Sequence, residues 1–139
     1  MLKKVRTREI SPFAKDFKMH IEKGIWPIVN ELNNKGYITV DSCQGHILDG
    51  DSPHVAFALL DPAMYSDVYC KLNTIGTNIQ LLPKWFQGKQ EDAVTKSLFA
   101  NIDPWYVWIT FNPFLFCITK KVFVNKIKRL PAQLMESSL

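Results

Sequence analysis

The chain has 139 residues, 47% of them hydrophobic and 22% charged, with a formal charge of +4. This length fits a single domain, 1–139, that can bury a core without cross-links, and the balance excludes an intrinsically disordered chain. Cys43, Cys70 and Cys117 are odd in number and far apart, which argues against a disulfide framework and for a reducing cytoplasm. No apolar run approaches the roughly 18 residues of a membrane span, and Met1-Leu2-Lys3-Lys4 has no apolar stretch of a secretory leader behind it.

Residues 1–12 read as a basic arm ending at Ser11-Pro12. Phe17, Ile21, Ile25, Ile28 or Val29, and Leu32 then recur every three or four residues, which predicts one buried stripe of a helix. Pro27 lies inside that stripe, so the helix either kinks there or starts afresh with Pro27 in its first turn, and Gly36 ends it. Tyr37 to Cys43 alternates as a half-buried strand, with Ile38 and Val40 on one face and Tyr37, Thr39 and Asp41 on the other. Gln44 to Pro53 is a loop, and His54 to Leu60 is a second strand with Val55, Phe57 and Leu59 on one face, so the two strands form a long-looped hairpin.

Asp61-Pro62 is a helix start, followed by a buried stripe of Met64 or Tyr65, Val68, Leu72 and Ile75 that Gly76 ends. Thr77 to Pro83 reads as a third strand. Residues 84–104 form an irregular insertion with a short helical turn around Ala93 to Phe99. Trp105 to Phe111, dense in aromatic and β-branched residues, is the strongest strand signal, and Phe123, Ile127, Leu130 and then Pro131 mark a basic amphipathic helix. The order α-β-β-α-β-β-α predicts an α+β fold in which a small, mainly antiparallel sheet carries helices on one face.

Chemistry concentrates where the first strand ends. Backbones leave a sheet there and polar groups converge, so Asp41, Ser42, Cys43, Gln44, Gly45 and His46 are expected to share one small volume, with Gly45 allowing the reversal. His54 begins the facing strand and joins the candidate ligand-binding set. A cysteine three residues before a histidine has the makings of a nucleophile and base, and Cys43 and His46 also have metal-ligand spacing with His54 as a third donor. A fourth ligand is not evident unless Asp41, Asp49 or Asp51 serves, so no metal is expected; the bland alternative is a structural turn around a buried thiol. Cys70 and Cys117 read as packing residues.

Nine of the 17 basic residues crowd two segments: Lys3, Lys4, Arg6 and Arg8, and Lys120, Lys121, Lys126, Lys128 and Arg129. The second set is the candidate nucleic-acid patch, and its plain alternative is a solvated face.

Ser42-Cys43-Gln44-Gly45-His46, entered from an apolar strand and left through a loop to a second strand, resembles two families. One is the tRNA wybutosine-synthesising methyltransferase family with its Ser-Cys-Ser-Gly-Arg signature. That likeness, carried by Ser42, Cys43 and Gly45, implies S-adenosylmethionine-dependent methylation of a modified guanosine, although His46 stands in place of the arginine. The other, more similar, is a group of small, uncharacterised bacterial and phage proteins with Cys-Glu-Gly-His at the same place. Three readings follow: binding of a nucleotide, RNA or DNA at the Asp41–His46 turn; noncatalytic docking on a host protein; and a methyltransferase-like enzyme. The sequence leaves open whether the protein is an enzyme, and it names no cofactor.

Overall fold

A computed structural model describes residues 12, 17–46, 48, 50–83 and 104–133, and of His20 only the backbone. The basic residues of the arm, Asp49 and the helical turn expected at Ala93 to Phe99 lie outside them. Four strands, β1 (Ile38–Cys43), β2 (His54–Leu59), β3 (Thr77–Leu82) and β4 (Trp105–Phe111), form one sheet in the order β1-β2-β4-β3. All three pairings are antiparallel. With α1 (Trp26–Asn34), α2 (Tyr65–Leu72) and α3 (Phe116–Ile127), the described elements run α-β-β-α-β-β-α, and the fold is α+β.

The first helix resolves the choice posed by Pro27. Phe17–His20 is a short 3₁₀ turn, residues 21–25 form an open turn, and α1 starts afresh with Pro27 in its first turn, where its missing N–H is no loss. The stripe survives the break, because Phe17, Ile21, Ile25, Ile28, Val29 and Leu32 all enter the core. At the other end Gly36 takes φ +89°, and the Tyr37 amide reaches back to the Leu32 carbonyl at 3.0 Å. This left-handed cap satisfies carbonyls that the helix leaves open and aims the chain into β1.

One face of the sheet carries the main core. Val55, Phe57, Leu59, Ile79, Val107, Ile109 and Phe111 meet Val68 and Leu72 of α2, Phe116, Phe123 and Ile127 of α3, and the α1 stripe. Ile75, expected in the α2 stripe, is 82% exposed, because the helix ends at Leu72 and the residue falls on the turn to Gly76. The opposite face holds a smaller cluster of Ile38, Val40, Ala56, Ala58 and Tyr106.

The expected alternation in β1 fails at one residue. Thr39 pairs with Phe57 and Asp41 with Ala56, so Val40 is an extra residue bulged between two rungs. Tyr37 packs in the main core, whereas Asp41 lies opposite Ala56 of the second cluster rather than on Tyr37's face. Ser42 pairs with Val55 and therefore shares the helix-bearing face.

The C-terminal described segment locks the hairpin to α1. The Gln133 side chain accepts from the Leu60 amide at 3.0 Å and donates to the carbonyls of Gly36 and Ala58, while its own amide donates to Lys35 at 2.7 Å. Tyr37 adds a hydrogen bond from its phenol to the Pro131 carbonyl at 2.7 Å. Among the described residues, no helix is long and apolar enough to cross a membrane.

Candidate functional site at the end of β1

The open turn before α1 and the end of β1 meet. Glu22, in that turn, sends one carboxylate oxygen to the Gln44 backbone amide at 2.9 Å and the other to within 2.6 Å of His46 Nε2. The Gln44 side chain returns the contact, accepting from the Gly24 amide at 2.7 Å. Cys43, fully buried, receives the Gly45 amide on its sulfur at 3.4 Å. The Glu22, Cys43 and His46 side chains each bring one donor atom to a point where all three lie within 4.8 Å of one another. His46 is held from behind as well: its backbone amide and carbonyl both pair with Asp51, closing the loop into a small ladder.

Gly45 is required here. Its φ is +94°, and a Cβ would lie 2.8 Å from the Pro53 ring. The Gly45 amide is thereby fixed against the Cys43 sulfur.

The structure divides the residues that the sequence groups together. Cys43, Gln44, Gly45 and His46 stay with one another, joined by Glu22. Asp41 and His54 form a separate pair, His54 Nε2 lying 3.5 Å from an Asp41 oxygen. The His54 Nδ1–H donates to the Ser52 carbonyl at 2.9 Å, and the ring stacks on Trp108 with centroids 4.7 Å apart. His54 and Cys43 are rung partners, yet the imidazole's contacts run to Asp41, Ser52 and Trp108 instead of to His46. Ser42, buried on the helix-bearing face, has the surroundings of a packing residue.

Glu22 is the residue the sequence reading passes over. Within a continuous helix from Phe17 to Leu32 it would fall at the margin of the apolar stripe, on the same side as Val29. The signal against that continuity is Gly24 followed closely by Pro27, which opens the turn and lets Glu22 face the strand end.

The late basic segment is also divided by the fold. Lys120 reaches the site: its Nζ donates to the Gly24 carbonyl at 3.0 Å and stands 5.3 Å from the centre of the Phe116 ring. Lys126 points the other way and donates to the Asn73 carbonyl after α2 at 2.7 Å. Lys121, Lys128 and Arg129 are exposed. Cys70 and Cys117, expected as packing residues, are both exposed, since each lies off the buried stripe of its helix.

No protein-family model matches the chain, and neither a curated protein nor a solved structure matches it.

Proposed function

We propose that the protein binds a phosphate-bearing ligand, a nucleotide or a stretch of nucleic acid, at the rim where the Cys43–His46 turn meets the first turns of α3. The observation that carries this reading is the chain of contacts Lys120–Gly24–Gln44, which brings the basic helix to a turn some eighty residues earlier in sequence. Lys121 is exposed beside Lys120, and Lys23 is exposed next to Gly24. Lys18 lies over the half-buried Trp26 ring at 5.3 Å, so cationic and aromatic groups both flank the rim. Clustered ammonium groups draw phosphates with a strong salt dependence, and an accessible aromatic edge adds stacking.

The test is titration of a labelled single-stranded RNA, and separately of a nucleoside triphosphate, at low salt. Replacing Lys120 and Lys121 with Ala should weaken binding about fivefold or more and lower the salt slope by about one for each phosphate contact removed. Lys126→Ala should leave both unchanged. Absence of binding at low salt, or equal losses from Lys126→Ala, would overturn the reading.

One observation favours docking on a partner protein instead. Ile118 and Val122, four residues apart on the outward side of α3, are exposed, Ile118 at 70%, and Phe114 in the turn before the helix is 82% exposed. An apolar row of this kind, bordered by Lys121, suits a partner with an apolar groove and an acidic edge. Loss of a co-purifying partner on Ile118→Asp, with nucleic-acid binding absent throughout, would select this alternative.

A further inference from the structure

We infer that Glu22, Cys43 and His46 form a binding site for one divalent cation of the zinc class, these three being its ligands among the described residues. The inference is independent of whether the rim binds phosphate. A sulfur, an imidazole nitrogen and a carboxylate oxygen converge within 4.8 Å from two stretches of chain, the open turn before α1 and the turn after β1. Such a mixed soft and borderline donor set suits zinc or cobalt and disfavours magnesium and calcium, which prefer oxygen alone.

What separates this cluster from a chance meeting of side chains is how each donor is held. The Gly45 amide donates to the Cys43 sulfur, and the Gln44 amide fixes the Glu22 oxygen that faces away from His46. The Asp51 ladder fixes the His46 backbone. Backbone amides set on the sulfur and on the far carboxylate oxygen are the outer contacts that orient metal ligands.

His54, the third donor that spacing alone would nominate, is engaged with Ser52 and Trp108, and Glu22 takes its place. Glu22 and His46 hold each other at 2.6 Å. Tetrahedral ligands at zinc stand roughly 3.3 Å apart given their bond lengths, so a bound cation replaces that hydrogen bond with a small opening of the Glu22 side chain. Glu22 is 6% exposed at its side chain and His46 18%, so the cluster is reached past the imidazole.

The experiment uses the full chain with Cys70→Ser and Cys117→Ser, because those exposed thiols would bind metal on their own. After metal is stripped, cobalt(II) is titrated in the absence of nucleic acid. The expected result is one cobalt per chain, with a thiolate-to-cobalt charge-transfer band that zinc displaces. Cys43→Ser should abolish the band, and Glu22→Gln and His46→Ala should each weaken binding by about tenfold or more. Each variant is checked by circular dichroism without metal, and if one fails to fold the others decide. Lys126→Ala should keep the band, and because the titration contains no nucleic acid, failure of the phosphate reading and failure of this one are distinguishable. No thiolate band in the parent, or a band unmoved by both Glu22→Gln and His46→Ala, would overturn the inference.

Discussion

Asp41 and His54 face each other across the β1–β2 ladder at 3.5 Å, and among the described residues one Asp41 oxygen and the His54 Nε2, both buried, have no hydrogen-bond partner. A carboxylate placed this way depends on the imidazole for most of its compensation. His54→Ala should therefore cost about 3 kcal/mol in urea unfolding, from the uncompensated carboxylate and the lost stack on Trp108. The double variant Asp41→Ala/His54→Ala should be at least as stable as His54→Ala alone, since it removes the orphaned charge. Additive losses would show that the pair is not coupled.

Alkaline stability should depend on Tyr37. Burial, with the Asp67 charge adding to it, pushes its phenol up to about 12 from the usual value near 10. The folded chain holds this proton more tightly than the unfolded one, so the contribution is fully present below about pH 10 and is lost as pH rises toward 12. A shift of this size corresponds to roughly 3 kcal/mol. Tyr65, raised by burial and then by Tyr69, adds in the same direction. Tyr37→Phe should cost about 1 kcal/mol at neutral pH through the lost bond to Pro131 and should flatten the fall of stability above pH 10, measured by denaturant midpoints against pH.

Two glycines separate backbone strain from collision. Gly36 and Gly50 have φ of +89° and +78°, but a Cβ at Gly36 would lie 2.1 Å from the Gln133 carbonyl oxygen, whereas nothing lies within 4 Å of one at Gly50. Gly50→Ala should cost about 1 kcal/mol, the left-handed penalty alone. Gly36→Ala should cost at least about 3 kcal/mol, because the Gln133 clamp must move as well. Equal losses in thermal unfolding would contradict the close approach.

The three thiols should differ in reactivity. Cys70 and Cys117 are exposed and Cys43 is fully buried. Titration of the native chain with a disulfide reagent should give two fast thiols and one that reacts at the rate of local opening. Three fast thiols would mean that the strand end is not packed as described.

Most of the architecture was legible because it rests on local periodicity. The β2 face of Val55, Phe57 and Leu59 and the aromatic run of β4 follow from spacing two, and the restart at Pro27 was one of two stated alternatives. What stayed hidden was set by tertiary contacts. Nothing in Tyr37-Ile38-Thr39-Val40-Asp41 announces the bulge, because Val40 is as good a strand residue as its neighbours and only the pairing with Phe57 and Ala56 isolates it. Glu22 joined the strand end through a turn inside an apparently continuous stripe, and Gln133 became a clamp through four hydrogen bonds to distant backbone. The division of the basic segment, Lys120 toward the turn and Lys126 toward Asn73, follows from their places on opposite flanks of the buried stripe of α3.

The extra residue at Val40 gives β1 a unit of slack. Remove Val40 and the ladder closes on the same rungs, Thr39 with Phe57 and Asp41 with Ala56, leaving Asp41 and Cys43 on their present sides at the cost of one apolar side chain. Remove Ser42 instead, and the strand regains its pairing only by regularising around Val40, which turns Asp41 into the helix layer while Cys43 stays opposite His54. The strand can shorten by one residue without unpairing, but the position of the cut decides whether the aspartate remains beside its histidine.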